Sequence, residues 1–240
     1  RLVGSGMCIR DRYWTWNATK LSQWILRIKQ AQTVSFIAME NAFWTYPNVI
    51  HDIRNMHNFS FEIEIITQFR NPFKRFVSDF FFEIKEKTYQ ETSMLKRKNI
   101  KERLLAFHNG RMKTNFPSLQ AWNMYIRIMT GKYDNNGNMN ESDLEIAKER
   151  LKMYDVVTIL ELPETHVLMY KYGIQGHEYH SKNDGSKNLK HLSFNDTEIL
   201  NEFEKEFEEM NELDYKFYEY AIRVSRNMLR NSLFNVVDVH

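Results

Sequence analysis

Apolar residues recur at helical spacing over residues 15–30, where Trp16, Leu21, Trp24, Ile25 and Ile28 stand among Lys20, Arg27 and Lys29, so the pattern predicts an amphipathic helix. Residues 33–39 then read as a short strand. Over residues 61–69, Phe61, Ile63 and Ile65 alternate with Glu62 and Glu64 before the run turns apolar, which predicts the best strand of the chain. It ends at Arg70-Asn71-Pro72. Asn71 suits an N-cap and Pro72 a first helical position, so a helix should begin there and run through Phe73, Phe76, Val77, Phe80 and Phe81.

Residues 117–130 also have a helical pattern, with Leu119, Trp122, Tyr125, Ile126 and Met129 on one stripe, and 131–138 form a polar loop. Asn140 should cap the next helix, which carries Leu144, Ala147 and Leu151. Residues 155–160 form a strand apolar enough to be buried on both faces. Two helices are predicted over 195–230, one with Ile199, Phe203, Phe207 and Met210 as its stripe, the other with Leu213, Phe217, Ala221, Val224 and Met228. Ahead of them, 173–192 is a long polar loop, a length often used for function. Strands separated by helices imply βαβ crossovers, hence an α/β fold with a parallel sheet and ligands at the carboxyl ends of its strands. Those ends fall near Glu40, Arg70 and Glu161.

Composition narrows the function classes. A chain of 240 residues, 42% hydrophobic and 27% charged, is globular and large enough for one domain, expected over 13–240. Thirty-three Lys and Arg against thirty-one Asp and Glu leave a formal charge of +2, which argues against a generic nucleic-acid coat. No apolar run approaches the roughly 18 residues of a membrane span, so the chain is expected to be soluble. The single cysteine, Cys8, excludes a disulfide framework and a Cys-based zinc site. The one Gly-x-Gly, Gly4-Ser5-Gly6, lacks the rest of a phosphate loop. Met7-Cys8-Ile9-Arg10-Asp11-Arg12 resembles a translated sequencing adaptor. Residues 1–12 are therefore expected to be a foreign scar, the alternative being a disordered natural terminus.

The chemistry concentrates in Arg70-Asn-Pro72-Phe-Lys74-Arg75-Phe-Val-Ser78. A guanidinium here stands at a strand's carboxyl end just before the positive end of a helix, with Arg75 and Ser78 on the following turns. Such a corner suits an anion, phosphate best of all, held by a bidentate Arg, free N–H groups and a hydroxyl. The competing reading is that Arg70 pairs with a neighbouring carboxylate while Ser78 packs within the helix.

The stretch Ile65-Ile-Thr-Gln-Phe-Arg70-Asn-Pro72-Phe-Lys-Arg75-Phe-Val-Ser78 resembles the 3′-phosphate-binding strand-turn-helix of sulfotransferases, above all the heparan sulfate 2-O- and 6-O-sulfotransferase group. Three further blocks in the same order are similar to that group: Asn123 to Gly131, Ala147 to Glu161, and Asn211-Glu-Leu-Asp214-Tyr-Lys-Phe-Tyr218-Glu-Tyr-Ala221. Together the likeness covers about residues 13 to 225. It implies a P-loop-like three-layer fold that binds 3′-phosphoadenosine-5′-phosphosulfate and transfers its sulfuryl group to a carbohydrate hydroxyl, with no metal required.

By this resemblance Arg70 and Ser78 hold the 3′-phosphate and Arg75 supports them from behind. The family's phosphosulfate-gripping strand and loop have no counterpart after Tyr13. They are expected upstream, together with the anchor of a type II Golgi membrane protein, and the chain as it stands is expected to be inactive. Transfer needs a base and a leaving-group cation. Glu40 is the candidate base, with His51 and His57 as alternatives and a surface Glu as the plain reading. Lys187 is the cofactor-side cation of the 173–192 loop, with Lys182 and Lys190 nearby in sequence, and each also reads as solvated charge. Arg127, on an apolar helix beside Trp122, is a candidate acceptor-binding residue or one half of a buried ion pair. His177-Glu-Tyr-His180 lacks zinc-motif spacing.

Residues 70 to 113 hold twelve Lys and Arg against five Asp and Glu, which suits an anionic glycan acceptor and equally a solvated helix face. Four Asn-x-Ser/Thr sequons, at Asn17, Asn58, Asn140 and Asn195, permit a lumenal life. The alternative function is a non-catalytic nucleotide- or glycan-binding module on the same fold. A P-loop kinase is disfavoured because the Walker motif is missing.

Overall fold

A computed structural model describes residues 66–85, 100–111, 122–132, 138–172 and 194–237. In chain order these are β1 (Ile66–Phe69), α1 (Pro72–Lys85), α2 (Ile100–Arg111), α3 (Met124–Thr130), α4 (Glu141–Leu151), β2 (Val156–Ile159), a 3₁₀ helix (Pro163–Tyr172), α5 (Phe194–Met210) and α6 (Glu212–Val237). The described part is mostly helical around a small parallel sheet, an arrangement compatible with the α/β expectation. The predicted elements over 15–30 and 33–39, the start of the 61–69 strand and the 173–192 loop lie outside the described residues.

β1 and β2 pair in parallel, Ile66 opposite Val156 and Phe69 opposite Ile159. The Leu160 N–H continues the ladder by donating to the Phe69 carbonyl at 2.8 Å. All four β2 residues are buried, as their largely apolar content predicts, with α6 packed against this strand. Ser225 of α6 is fully buried yet satisfied, donating to the Val157 carbonyl at 2.6 Å.

Two apolar clusters hold these elements together. The first gathers Phe69, Ile126, Leu144, Leu151, Val157 and Phe217, from both strands and from α3, α4 and α6. The second joins Phe73, Phe76 and Phe80 of α1 to Leu104 and Phe107 of α2 and to Phe203 and Phe207 of α5. α1 therefore hangs from β1 at one end and is clasped along its length by α2 and α5. That fixes the corner between them.

Several predicted elements appear where the pattern put them. α4 opens with a capping box: the Asn140 side chain accepts the Asp143 N–H at 3.2 Å and the Asp143 carboxylate accepts the Asn140 N–H at 3.1 Å. The predicted 195–230 pair corresponds to α5 and α6, with α6 continuing to Val237. One element is corrected. Of the helix expected over 117–130, residues 117–121 lie outside the described residues, Trp122 and Asn123 form a turn, and the helix runs from Met124, because Asn123 sits in the left-handed region at φ 45 and ψ 46. Asn tolerates that conformation, and tertiary bonds reward it: the Asn123 N–H donates to Asn211 Oδ1 at 2.8 Å, and Asn123 Oδ1 accepts the Asp214 N–H at 3.2 Å. α2 and the 3₁₀ helix were not anticipated, although Ile100, Leu104 and Phe107 are a buried stripe at helical spacing.

Candidate functional site

The corner between β1 and α1 is assembled from four elements. Phe69, the last residue of β1, is buried with its ring edge-on to Tyr125 and Phe217, at centroid distances of 5.3 and 5.4 Å. Arg70 follows, and its main chain is held by the Tyr125 hydroxyl, which donates to the Arg70 carbonyl at 2.7 Å and accepts the Arg70 N–H at 3.2 Å. Asn71 then caps α1: its Oδ1 accepts the Lys74 N–H at 3.0 Å and its carbonyl accepts the Arg75 N–H at 2.9 Å. Pro72 starts the helix without an N–H to satisfy.

Glu161, two residues past the end of β2, reaches across to this corner. Its Oε2 accepts the Asn71 N–H at 3.1 Å and the Tyr218 hydroxyl of α6 at 2.8 Å. Its Oε1 lies 3.7 Å from Arg70 Nε, an ion pair too long to count as a hydrogen bond. Both side chains keep partial exposure, 18% for Arg70 and 21% for Glu161. Among the described residues, Arg70 Nε has no hydrogen-bond partner. The pairing left open by the sequence is therefore observed, as a long contact through the guanidinium Nε.

Arg75 supports the corner from behind. Its guanidinium carbon lies 5.5 Å from the Tyr125 ring centroid, and its Nη1 bonds Asp79 Oδ2 at 2.9 Å. Burial pushes the Tyr125 phenol well above its ordinary range, with the Arg75 charge pulling the other way. The Tyr218 phenol is likewise raised, by burial first and then by its bond to Glu161. Both hydroxyls therefore stay protonated and act as donors.

Tyr125 is in turn placed by Asp214. This buried carboxylate accepts the Tyr125 N–H at 3.1 Å and the Ile126 N–H at 3.0 Å, capping α3 from α6. Burial pushes its pKa up to about 6, against the N–H groups of Ile126, Tyr125 and Met124 and the charge of Arg75.

Arg70 is in the corner. Ser78 lies half-buried two turns along α1 from Asn71, on the same face. Arg127 shares α3 with Tyr125 but is only 3% exposed; its Nε donates to the Trp122 carbonyl at 3.0 Å and its Nη1 to the Lys132 carbonyl at 3.4 Å. Burial lowers its pKa, while the Asp214 and Asp143 charges raise it. Glu40, Lys187, His51, His57 and the His177–His180 stretch lie outside the described residues. Among the described residues, no group of three or more His, Cys, Asp or Glu is placed to hold a metal ion, and no helix is long and apolar enough to cross a membrane.

Tyr125, Tyr218 and Asp214 were read from sequence only as stripe or block positions. Their roles arise from contacts spanning 55 residues or more, which spacing along one helix cannot reveal. Comparison with known proteins adds no relative: no family model, curated protein or solved structure matches the chain.

Proposed function

We propose that this chain is a sulfotransferase of the carbohydrate-modifying, Golgi type, with a P-loop-like α/β fold. It takes 3′-phosphoadenosine-5′-phosphosulfate as donor and a glycan hydroxyl as acceptor. Arg70 and Ser78 bind the 3′-phosphate, Lys187 approaches the nucleotide and Glu40 serves as base, while Arg127, buried and bonded to the Trp122 and Lys132 carbonyls, braces α3. One observation supports the reading above the others. Arg70 stands at the carboxyl end of a parallel strand and at the amino end of a helix, its main chain clamped by Tyr125 and its guanidinium Nε without a hydrogen-bond partner among the described residues. A planar, part-exposed fork at such a corner matches the geometry of a phosphate monoester.

A second reading has its own support. Glu161 already supplies the corner with an anion, taking the Asn71 N–H and facing Arg70. On that reading the corner is a structural joint in a module that keeps the fold without catalysis.

Titration of 3′-phosphoadenosine-5′-phosphate at fixed salt separates the two. Wild type should bind, and Arg70→Ala should bind at least about tenfold more weakly, the effect of losing one charge-assisted pair of hydrogen bonds. Equal affinity in the two proteins removes the cofactor-site assignment. Transfer of labelled sulfate to a glycan by the protein expressed from its full-length transcript, with Glu40→Gln as the control, then distinguishes enzyme from binder, and full activity in Glu40→Gln reassigns the base.

A further inference from the structure

The corner carries a carboxylate that a phosphate site would not need. Glu161 is fixed by the Asn71 N–H and the Tyr218 hydroxyl through one oxygen, Oε2, at 3.1 and 2.8 Å. That leaves its other oxygen 3.7 Å from Arg70 Nε. Its position thus rests on the Asn71 N–H ahead of α1 and on Tyr218 of α6, and not on a hydrogen bond from the Arg70 side chain. The charge stays beside the guanidinium whether or not the fork is occupied.

We infer that Glu161 sets the affinity of the Arg70 corner by opposing the charge of a bound phosphate monoester, while leaving the terminal nitrogens of Arg70 open to it. The inference rests on the cofactor reading above and extends it to a residue that would not touch the ligand. Two consequences follow from the geometry. The bound nucleotide is held less tightly than an isolated guanidinium at a helix terminus would hold it, which favours release of a spent nucleotide that keeps its 3′-phosphate. The opposition is also local, because a unit charge a few Å from Arg70 acts on the anion at that fork far more than on distant parts of the ligand.

The test is a double-mutant cycle read as dissociation constants at one salt concentration, with 3′-phosphoadenosine-5′-phosphate and with adenosine 5′-phosphate, which lacks the 3′-phosphate. Glu161→Gln retains an oxygen for Asn71 and Tyr218 but carries no charge. It should bind the 3′-phosphorylated nucleotide about fivefold more tightly or better, as expected for removing a nearby like charge. Affinity for adenosine 5′-phosphate should hold steady, and the gain should vanish in the Arg70→Ala background. Unchanged or weaker binding by Glu161→Gln overturns the inference, as does an equal gain for both nucleotides.

If Arg70→Ala loses binding while Glu161→Gln gains nothing, only this inference fails. If Arg70→Ala binds like wild type, the cofactor reading fails with it. Should Glu161→Gln not fold, Tyr218→Phe carries the test with the opposite sign. It keeps the carboxylate and strips away a donor that partly neutralises it, so affinity should fall about twofold or more. Unchanged or tighter binding by that variant overturns the inference.

Discussion

The Tyr125 hydroxyl satisfies both main-chain polar groups of Arg70, a residue 55 positions away, donating to its carbonyl and accepting from its N–H. The last peptide of β1 is thereby fixed from α3, and the Arg70 side chain starts from a defined point. Tyr125→Phe keeps the ring contacts with Phe69 and Phe217 but leaves a half-buried carbonyl and N–H unpaired. Urea unfolding should show a loss of about 1–3 kcal/mol, with weaker binding of 3′-phosphoadenosine-5′-phosphate alongside it. A variant as stable as wild type would show that the hydroxyl does not fix the corner.

Asp214 makes stability depend on pH. Its pKa is about 6 in the folded protein against an ordinary value of 3.8, so the folded state holds the proton more readily than the unfolded one. The contribution is fully present below about pH 4, is lost as pH rises to about 6, and is level above that. Asp214→Asn cannot titrate, so its urea midpoint should fall less than that of wild type between pH 4 and pH 6. Parallel pH profiles in the two proteins would remove Asp214 as the source.

Phe76 is 1% exposed and packs at a tilt against the rings of Phe107 and Phe207, at centroid distances of 5.5 and 4.8 Å. Phe76→Ala opens a cavity where α1, α2 and α5 meet, and it should destabilise the protein by about 3–5 kcal/mol in urea titration. Against a typical total of about 5–15 kcal/mol that is a large fraction. A cost under about 1 kcal/mol would mean that the second apolar cluster does not anchor α1.

Asn140→Ala removes one side of the α4 capping box and should cost about 1 kcal/mol by thermal or urea unfolding. Asn140→Asp, which retains an acceptor and adds charge at the positive end of the helix, should restore most of it. Equal losses in both variants would point to a cause other than the cap.

Local signals were legible where a residue's own chemistry decides the outcome. Asn71 and Pro72 stop β1 and start α1 through a side-chain acceptor and a fixed φ, and Asn140 does the same for α4 through its box with Asp143. β2 is buried throughout because three of its four side chains are apolar and the Thr158 hydroxyl donates to the Thr67 carbonyl. Arg70 was legible as a strand-end guanidinium, and Glu161 as a strand end of its own. That the two face each other was left open.

What the sequence by itself determined is the period and punctuation of the elements and the location of the cation-bearing corner. These follow from side-chain spacing and backbone chemistry within a few residues. Only the tertiary structure decided that α3 begins at Met124, since the left-handed Asn123 is stabilised by Asn211 and Asp214 from α6. It also decided which groups surround Arg70. Tyr125, Glu161 and Tyr218 are distant in the chain, and their hydrogen bonds exist only once the strand pair and α6 have packed.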